Sequence, residues 1–160
     1  MENKKITIYT DGSCNTQLKV GGWAALLLIG NDKKVLHGSE SNTTHNRMEL
    51  LAVIKSLEYV VKNFNNRVVI EIYTDSQYVY RIPERDEKLQ SNNFITKKGN
   101  TLKNKDLIKD FMTILNQFDI HLIKVKAHQK NTGTTNYNRE VDKLSRQIVR
   151  DKVKHLIKER

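Results

Sequence analysis

The 160-residue chain has one cysteine, one proline and no long apolar run. A lone cysteine, Cys14, excludes an internal disulfide and favours a reducing compartment, so we expect a cytoplasmic protein. No stretch approaches the roughly 18 apolar residues of a membrane span, and residues 1–5 lead into a strand rather than a signal segment. The absence of a low-complexity linker predicts one domain over residues 1–160, and we expect a monomer.

Acidic residues are in the minority. Lys and Arg number 28 against 18 Asp and Glu, which gives a formal net charge of +10 and a pI near 9.7. A positive balance of this size favours a polyanionic partner such as nucleic acid. Charge alone does not separate that partner from a lysine-rich solvated surface.

A short repeat carries more information than the composition. Ile-Tyr-Thr-Asp occurs at residues 8–11 and again at residues 72–75, each time closing a β-branched apolar run. A turn-capable residue, Gly12 or Ser76, follows each copy. Two strands are therefore predicted to end by presenting Asp11 and Asp75 at a sheet edge. Neighbouring carboxylates repel unless a cation or a proton lies between them, so divalent-metal chemistry is the first hypothesis.

The hydrophobic periodicity predicts an α/β fold. Strands are expected at residues 4–11, 21–29, 33–40, 68–74 and 120–125. Helices are expected at residues 46–62, 76–81, 106–118 and 138–158, with a loop over 127–137 and an interruption allowed in the last, basic helix. Three strands before any helix predict an antiparallel 1-2-3 meander. Later strands, linked through helices, should add in parallel, giving a five-stranded mixed sheet with helices on both faces.

Each candidate polar residue has an ordinary structural explanation when it is taken singly. These explanations are an Asx turn for Asp11, a helix N-cap for Asp75, a capping-box glutamate for Glu49, a surface acid for Asp142 and a solvated loop residue for His128.

Five segments form a set when they are taken together: Asp-Gly-Ser at 11–13, Thr-Thr-His-Asn-Arg-Met-Glu-Leu at 43–50, Thr-Asp-Ser-Gln-Tyr-Val at 74–79, Val-Lys-Ala-His at 125–128 and Asn-Arg-Glu-Val-Asp at 138–142. In this order and at these intervals they closely resemble type 1 ribonuclease H. The resemblance runs from residue 5 to about residue 149. It implies a ribonuclease H-like fold and an endoribonuclease that hydrolyses the RNA strand of RNA/DNA hybrids, leaving 5′-phosphate and 3′-hydroxyl ends.

The resemblance also implies a metal site. Asp11, Glu49, Asp75 and Asp142 match the four metal-binding carboxylates of the family. They would hold two Mg²⁺ ions when substrate is bound, with Mn²⁺ as a possible substitute, to activate a water and stabilise the leaving oxygen. His128 matches a mobile-loop histidine that assists proton transfer or product departure.

Substrate contacts carry over from the same resemblance, against the alternative of local capping and turn hydrogen bonds. Asn46 and Gln77 match minor-groove contacts, Gly12 and Ser13 match contacts to RNA 2′-hydroxyls, and Thr44 matches a residue near a DNA phosphate. The full set of expected substrate-binding residues is Gly12, Ser13, Gln17, Thr44, Asn46, Gln77 and Asn138.

The chain departs from the family pattern in several places. Residues 15–20 lack the common Asn-Pro-Gly turn, with Gln17 the best substitute, and Arg139 and His45 replace frequent Glu and Asn. Residues 84–105 occupy the place of a basic handle but contain no tryptophan, so hybrid affinity is expected to be modest or carried elsewhere. The basic extension at 150–160 is either a solvated helix end or a supplementary phosphate-contacting surface.

The sequence leaves three alternative functions open. One is the ribonuclease H domain of a reverse transcriptase, and another is a hybrid-binding module with weak or no catalysis. The third is a phospho-acceptor receiver domain, which also places aspartates at strand ends and a lysine, here Lys124 or Lys126, after its fifth strand. The initial meander and the positive charge argue against the receiver.

Overall fold

The computed structural model describes residues 4–85, 103–126 and 136–158. Five strands are present: β1 (Lys4–Asn15), β2 (Val20–Ile29), β3 (Asp32–Ser41), β4 (Val68–Thr74) and β5 (Asp119–Lys124). Four helices accompany them: α1 (His45–Asn63), α2 (Gln77–Tyr80), α3 (Lys105–Gln117) and α4 (Tyr137–Lys158). A 3₁₀ turn covers Pro83–Arg85. Within these ranges no helix has the length and apolar character needed to span a membrane.

The strands form one mixed sheet in the order β3-β2-β1-β4-β5. β1 pairs antiparallel with β2, and β2 with β3, whereas β4 lies parallel to both β1 and β5. The predicted meander followed by parallel strands is confirmed. The receiver-domain alternative is wrong, because an alternating β-α fold has no meander of three antiparallel strands.

Two layers of helix cover opposite faces of the sheet. Ile6 and Ile8 of β1 belong to the larger core, which is packed under α1 and α3. On the opposite face of the sheet, Ala24 and Leu26 of β2 pack with Val141 of α4. Because successive side chains of a strand point to opposite faces, each central strand contributes side chains to the packing on both faces of the sheet. The central strands β1 and β2 are therefore buried on both sides.

The first strand is longer than predicted. β1 continues past Asp11 to Asn15, because residues 12–15 keep their pairing with β2 through residues 20–23. The turn comes later, where the side-chain oxygen of Asn15 accepts from the amides of Gln17 and Leu18, and Lys19 takes a left-handed φ of 55°. The prediction that the first strand ends at Asp11 is wrong.

Two helix predictions also need correction. The N-cap of α2 is Ser76, whose hydroxyl accepts from the amide of Val79, so the N-cap explanation of Asp75 is wrong. Its carboxylate is free for other contacts. The last helix runs from Tyr137 to Lys158 without the interruption that the sequence left open.

Candidate active site

Gly12 sets the distance between the first strand and the first helix. A Cβ at this position would lie 2.4 Å from the backbone nitrogen of Glu49 and 2.5 Å from the carbonyl carbon of Met48. Real side chains do not tolerate such contacts with backbone, so only glycine lets the first turn of α1 lie directly on β1. This close approach brings Glu49 beside Asp11.

Gly22 does the same for the last helix. A Cβ there would meet the carbonyl oxygen of Ser145 and the side chain of Ile148, both at 2.9 Å. With glycine at this position α4 settles on β2, and the hydroxyl of Ser145 donates to Oδ2 of Asp11 at 2.8 Å. Two glycines on neighbouring strands therefore bring a helix from each face against the same part of β1.

Three carboxylates meet at the edge where these elements converge. Asp11, Glu49 and Asp75 each offer an oxygen, and these oxygens lie within 4.8 Å of one another. Parallel pairing of Tyr9 with Tyr73 explains two of them, because it places Asp11 and Asp75 at equivalent positions on adjacent strands. Asp11 and Glu49 are 5% and 4% exposed, while Asp75 is half-buried.

The cluster is electrostatically strained without a cation. Burial raises the pKa of Asp11 to about 9, and the charges of Glu49 and Asp75 act in the same direction. Burial also raises the pKa of Glu49, although the imidazole of His45, 2.9 Å away, opposes this. Against Glu49, in turn, the pKa of His45 is raised. Deprotonated carboxylates at this spacing need positive charge between them.

The residues present fit a divalent cation. Oε2 of Glu49 is buried and has no hydrogen-bond partner among the described residues. Such an orphaned carboxylate oxygen is costly to bury. A hard cation that takes oxygen ligands, such as Mg²⁺ or Mn²⁺, would satisfy it together with oxygens of Asp11 and Asp75.

The fourth predicted ligand lies in the same cleft, outside this trio. Asp142 lines a cleft of about 290 Å³ with Asp11 and Asp75, and its carboxylate contacts the guanidinium of Arg146 one turn along α4. The remaining lining residues are mostly basic or polar: Thr10, Val125, Lys126, Asn138, Arg139, Lys143 and Arg146. The cleft therefore surrounds an acidic centre with a cationic rim.

The expected substrate residues have varied surroundings. Thr44 is the N-cap of α1 and its hydroxyl accepts from the amide of Arg47, so it has the local role that the sequence also allowed. When the side-chain amide of Gln77 is oriented with its oxygen toward Arg81, this oxygen accepts hydrogen bonds from the guanidinium of Arg81. The other five are placed as follows: Gly12 buried against α1, Ser13 half-buried in β1, Gln17 and Asn46 exposed, and Asn138 in the cleft.

His128 lies outside the described residues, as does most of the 84–105 segment. Lys126, two positions before His128, lines the cleft. The proton-transfer role predicted for His128 stays a prediction.

Three residues of the site were not identified from sequence. Ser145 binds Asp11, His45 binds Glu49 and Arg146 contacts Asp142. Helical spacing contained a signal for each, since His45 lies four residues before Glu49, and Ser145 and Arg146 lie three and four residues after Asp142.

A five-stranded mixed sheet of this order, with one carboxylate cluster formed by Asp11 of β1, Asp75 after the parallel strand β4 and Glu49 of α1, defines the ribonuclease H-like fold class. Comparison with known proteins identifies the family within this fold class. The family model for RNase H matches residues 3–150, so the chain belongs to the ribonuclease H family.

Relatives cover nearly the whole chain. A ribonuclease H of Wolbachia pipientis wMel is 38% identical over 152 residues, which span 94% of this chain and 99% of the relative. A ribonuclease H of Caldicellulosiruptor saccharolyticus is 35% identical over 150 residues, spanning 92% and 98% of the two chains.

Solved structures agree on the fold. LC9-RNase H1, a type 1 RNase H with the type 2 active-site motif, superposes with a TM-score of 0.77 at 20% identity, over 93% of this chain and 74% of that chain. A foamy viral protease-reverse transcriptase in complex with dsDNA gives 0.71 at 22% identity, over 90% and 93% of the two chains. At these identities the similarity concerns the fold alone, so it adds nothing specific to the reverse-transcriptase alternative.

Proposed function

We propose that this protein is an endoribonuclease that hydrolyses the RNA strand of RNA/DNA hybrids and leaves 5′-phosphate and 3′-hydroxyl ends. The observation that carries the proposal is the Asp11, Glu49 and Asp75 cluster, with its unsatisfied buried oxygen, two of whose carboxylates, Asp11 and Asp75, line a cleft with a cationic rim. Membership of the ribonuclease H family supports the same reaction.

The carboxylates would hold the metal. Asp11, Glu49 and Asp75 would supply oxygens to it, and Asp142, whose carboxylate contacts Arg146, would supply another. Two bound Mg²⁺ or Mn²⁺ ions would supply Lewis acidity, activating a water and stabilising the leaving 3′-oxygen. Asp11 would be held in place from both sides of the sheet, because Glu49 of α1 lies beside it and Ser145 of α4 donates to its carboxylate.

The protein's own contribution is to fix these ligands. Ser145 holds one oxygen of Asp11, and His45 holds one oxygen of Glu49, so each carboxylate keeps its orientation. Outer hydrogen bonds of this kind keep ligands oriented before a cation binds. Lys126, Arg139 and Lys143 on the cleft rim attract the phosphate backbone toward the acidic centre, which would otherwise repel it.

We assign selectivity for RNA to polar residues that lie two or three positions from Asp11, Glu49 and Asp75 in the sequence. Ser13 on β1, with the exposed Asn46 and Gln77 at the starts of α1 and α2, would contact 2′-hydroxyls and the minor groove. The 2′-hydroxyl is the group by which a protein distinguishes RNA from DNA at one site. His128 would assist proton transfer or product departure from the segment that follows Lys126.

A substrate panel tests the proposal. End-labelled RNA annealed to DNA, single-stranded RNA, duplex RNA and duplex DNA are each incubated with the protein and Mg²⁺. We expect internal cuts in the RNA of the hybrid alone, with ligatable 5′-phosphate ends. Equal cutting of duplex DNA, or 3′-phosphate ends, would contradict it. Hybrid binding without cutting would favour the non-catalytic module instead.

We further propose that the enzyme acts as a monomer in a reducing, intracellular compartment. Cys14, the chain's one cysteine, is a free, half-buried thiol beside the carbonyl of Thr43. Sedimentation with and without a reductant tests this, and a disulfide-linked dimer under native conditions would contradict it.

A further inference from the structure

The last helix carries a row of cations that begins in the cleft and leads away from it. Lys143 and Arg146 line the cleft, and Arg150 and Lys154 follow at intervals of four residues. Residues three or four apart lie on one face of a helix. We call the four residues Lys143, Arg146, Arg150 and Lys154 the basic ridge.

The ridge faces solvent. Its members are exposed, while the buried residues of the same helix, Val141, Ser145 and Val149, point to the sheet. From Lys143 to Lys154 the helix rises about 16 Å, at roughly 1.5 Å per residue. Phosphates of one duplex strand recur about every 3.4 Å along the axis, so the ridge matches about five base pairs.

The ridge is poorly compensated by acids. Over residues 143–158 the chain has six Lys and Arg but one acid, Asp151, which accepts from Gln147. Arg150 donates to the carboxamide of the same Gln147. In the described part of the chain no carboxylate lies within ion-pair distance of Lys143, Arg150 or Lys154. An ordinary solvated helix of this charge would carry more interspersed carboxylates to pair with its cations.

We propose that the basic ridge is a phosphate-contacting surface that holds the backbone of the hybrid beyond the cleft. The proposal rests on the proposed function for the identity of its ligand. It also accounts for how a chain whose 84–105 segment lacks the expected tryptophans could retain its substrate. Charge complementarity and continuity with the cleft favour nucleic acid over other polyanions.

Binding measurements isolate the ridge from catalysis. Asp11→Asn provides a background in which hybrid is bound in Mg²⁺ without being consumed. Two double substitutions are then made in the Asp11→Asn protein. The ridge pair is Arg150→Gln with Lys154→Gln, and the control pair is Lys55→Gln with Lys62→Gln. The control lysines are exposed on α1, on the opposite face of the sheet, and remove the same net charge.

Affinity for a fluorescent 18-base-pair hybrid is then measured by anisotropy between 50 and 300 mM salt. Each phosphate contact contributes about 0.9 to the log–log salt slope of a duplex, so we expect the ridge pair to flatten the slope by about 1 to 2. At 0.1 M salt, affinity should fall about tenfold or more. The charge-preserving pair Arg150→Lys with Lys154→Arg should keep the parental slope.

Equal slopes and affinities for the ridge and control pairs, with both variants folded by circular dichroism, would overturn the proposal. It would also be overturned if the ridge pair lost binding only to vesicles containing phosphatidylserine. Failure of the unsubstituted protein to cleave hybrid, with ridge-dependent binding intact, would instead overturn the proposed function and leave the ridge as a nucleic-acid surface.

Discussion

Asp11→Asn should stabilise the metal-free protein while abolishing hybrid cleavage. The carboxyl is buried between Glu49 and Asp75, and its pKa is about 9 against an ordinary value of 3.8. Asparagine removes the charge and keeps an oxygen that can accept from Ser145, so the packing around β1 and α4 survives.

The magnitude follows from the linkage between protonation and folding. At pH 7 the folded protein keeps the proton of Asp11, whereas the unfolded chain has released it, because pH 7 lies about three units above the ordinary pKa of 3.8. At about 1.4 kcal/mol per unit, this amounts to roughly 4 kcal/mol of lost stability as an upper limit. Because the folded pKa is raised, the wild type is least penalised below pH 4, and its stability falls as the pH rises toward 9.

Urea unfolding in EDTA, followed by circular dichroism from pH 4.5 to 8.5, measures this difference. Asp11→Asn should exceed the wild type in free energy of unfolding by about 1 to 4 kcal/mol at pH 7, by somewhat more at pH 8 and by much less at pH 4.5. Asp110→Asn, an exposed charge on α3, is the control and should show neither gain nor pH trend. Saturating Mg²⁺ should stabilise the wild type more than Asp11→Asn. A gain independent of pH, or no gain at pH 8, would refute the raised pKa that burial and the neighbouring carboxylates give Asp11.

Three further predictions concern other parts of the molecule. Gly12→Ala should cost about 1–3 kcal/mol or more in urea unfolding and most of the activity, because its Cβ meets the backbone of Glu49. Gly30→Ala, which has open space but a left-handed φ of 60°, should cost about 1–2 kcal/mol through backbone strain and retain cleavage. Arg47→Lys should lower stability by about 1 kcal/mol, because Arg47 binds Glu40 and makes two bonds to Asp106. The hydrogen bonds from Arg47 lower the pKa of Asp106, so this contribution should be present above pH 4 and vanish as the pH falls below it; equal losses at pH 3 and 7 would contradict it. His128→Ala should slow multiple turnover by at most about 10²–10⁴-fold without abolishing it, and unchanged turnover would return His128 to a solvated loop residue.

Regular elements were predictable because their residues repeat a pattern. The β-branched, apolar run over Val68–Thr74 predicted β4 with its observed bounds, and the repeated Ile-Tyr-Thr-Asp placed Asp11 and Asp75 on strands that prove to be parallel neighbours. The family resemblance supplied Glu49, which no periodicity on α1 distinguishes from a capping residue. Its position beside Asp11 depends on a contact across the fold, at Gly12, which a sequence without coordinates does not show.

Features that depend on tertiary contacts were not predictable. The extension of β1 to Asn15 follows from its pairing with Val20 and its neighbours, since Asp-Gly-Ser alone is typical of a turn. Asp75 and Ser76 are both residue types that favour the N-cap position, so the sequence does not decide between them. The structure shows that Ser76 is the N-cap. The hydrogen bond from Ser145 to Asp11 joins residues 134 positions apart in sequence.

The proposed function requires the Asp11, Glu49 and Asp75 cluster to hold divalent cations against the scissile phosphate. A hybrid with one phosphorothioate at the preferred cleavage position tests it directly, through single-turnover rates in Mg²⁺ and in Mn²⁺. Sulfur is a poor ligand for hard Mg²⁺ and a better one for Mn²⁺. We predict that one stereoisomer is cut far more slowly than the normal phosphate in Mg²⁺ and that Mn²⁺ restores much of its rate. An equal effect of sulfur in both metals, for both stereoisomers, would contradict the claim.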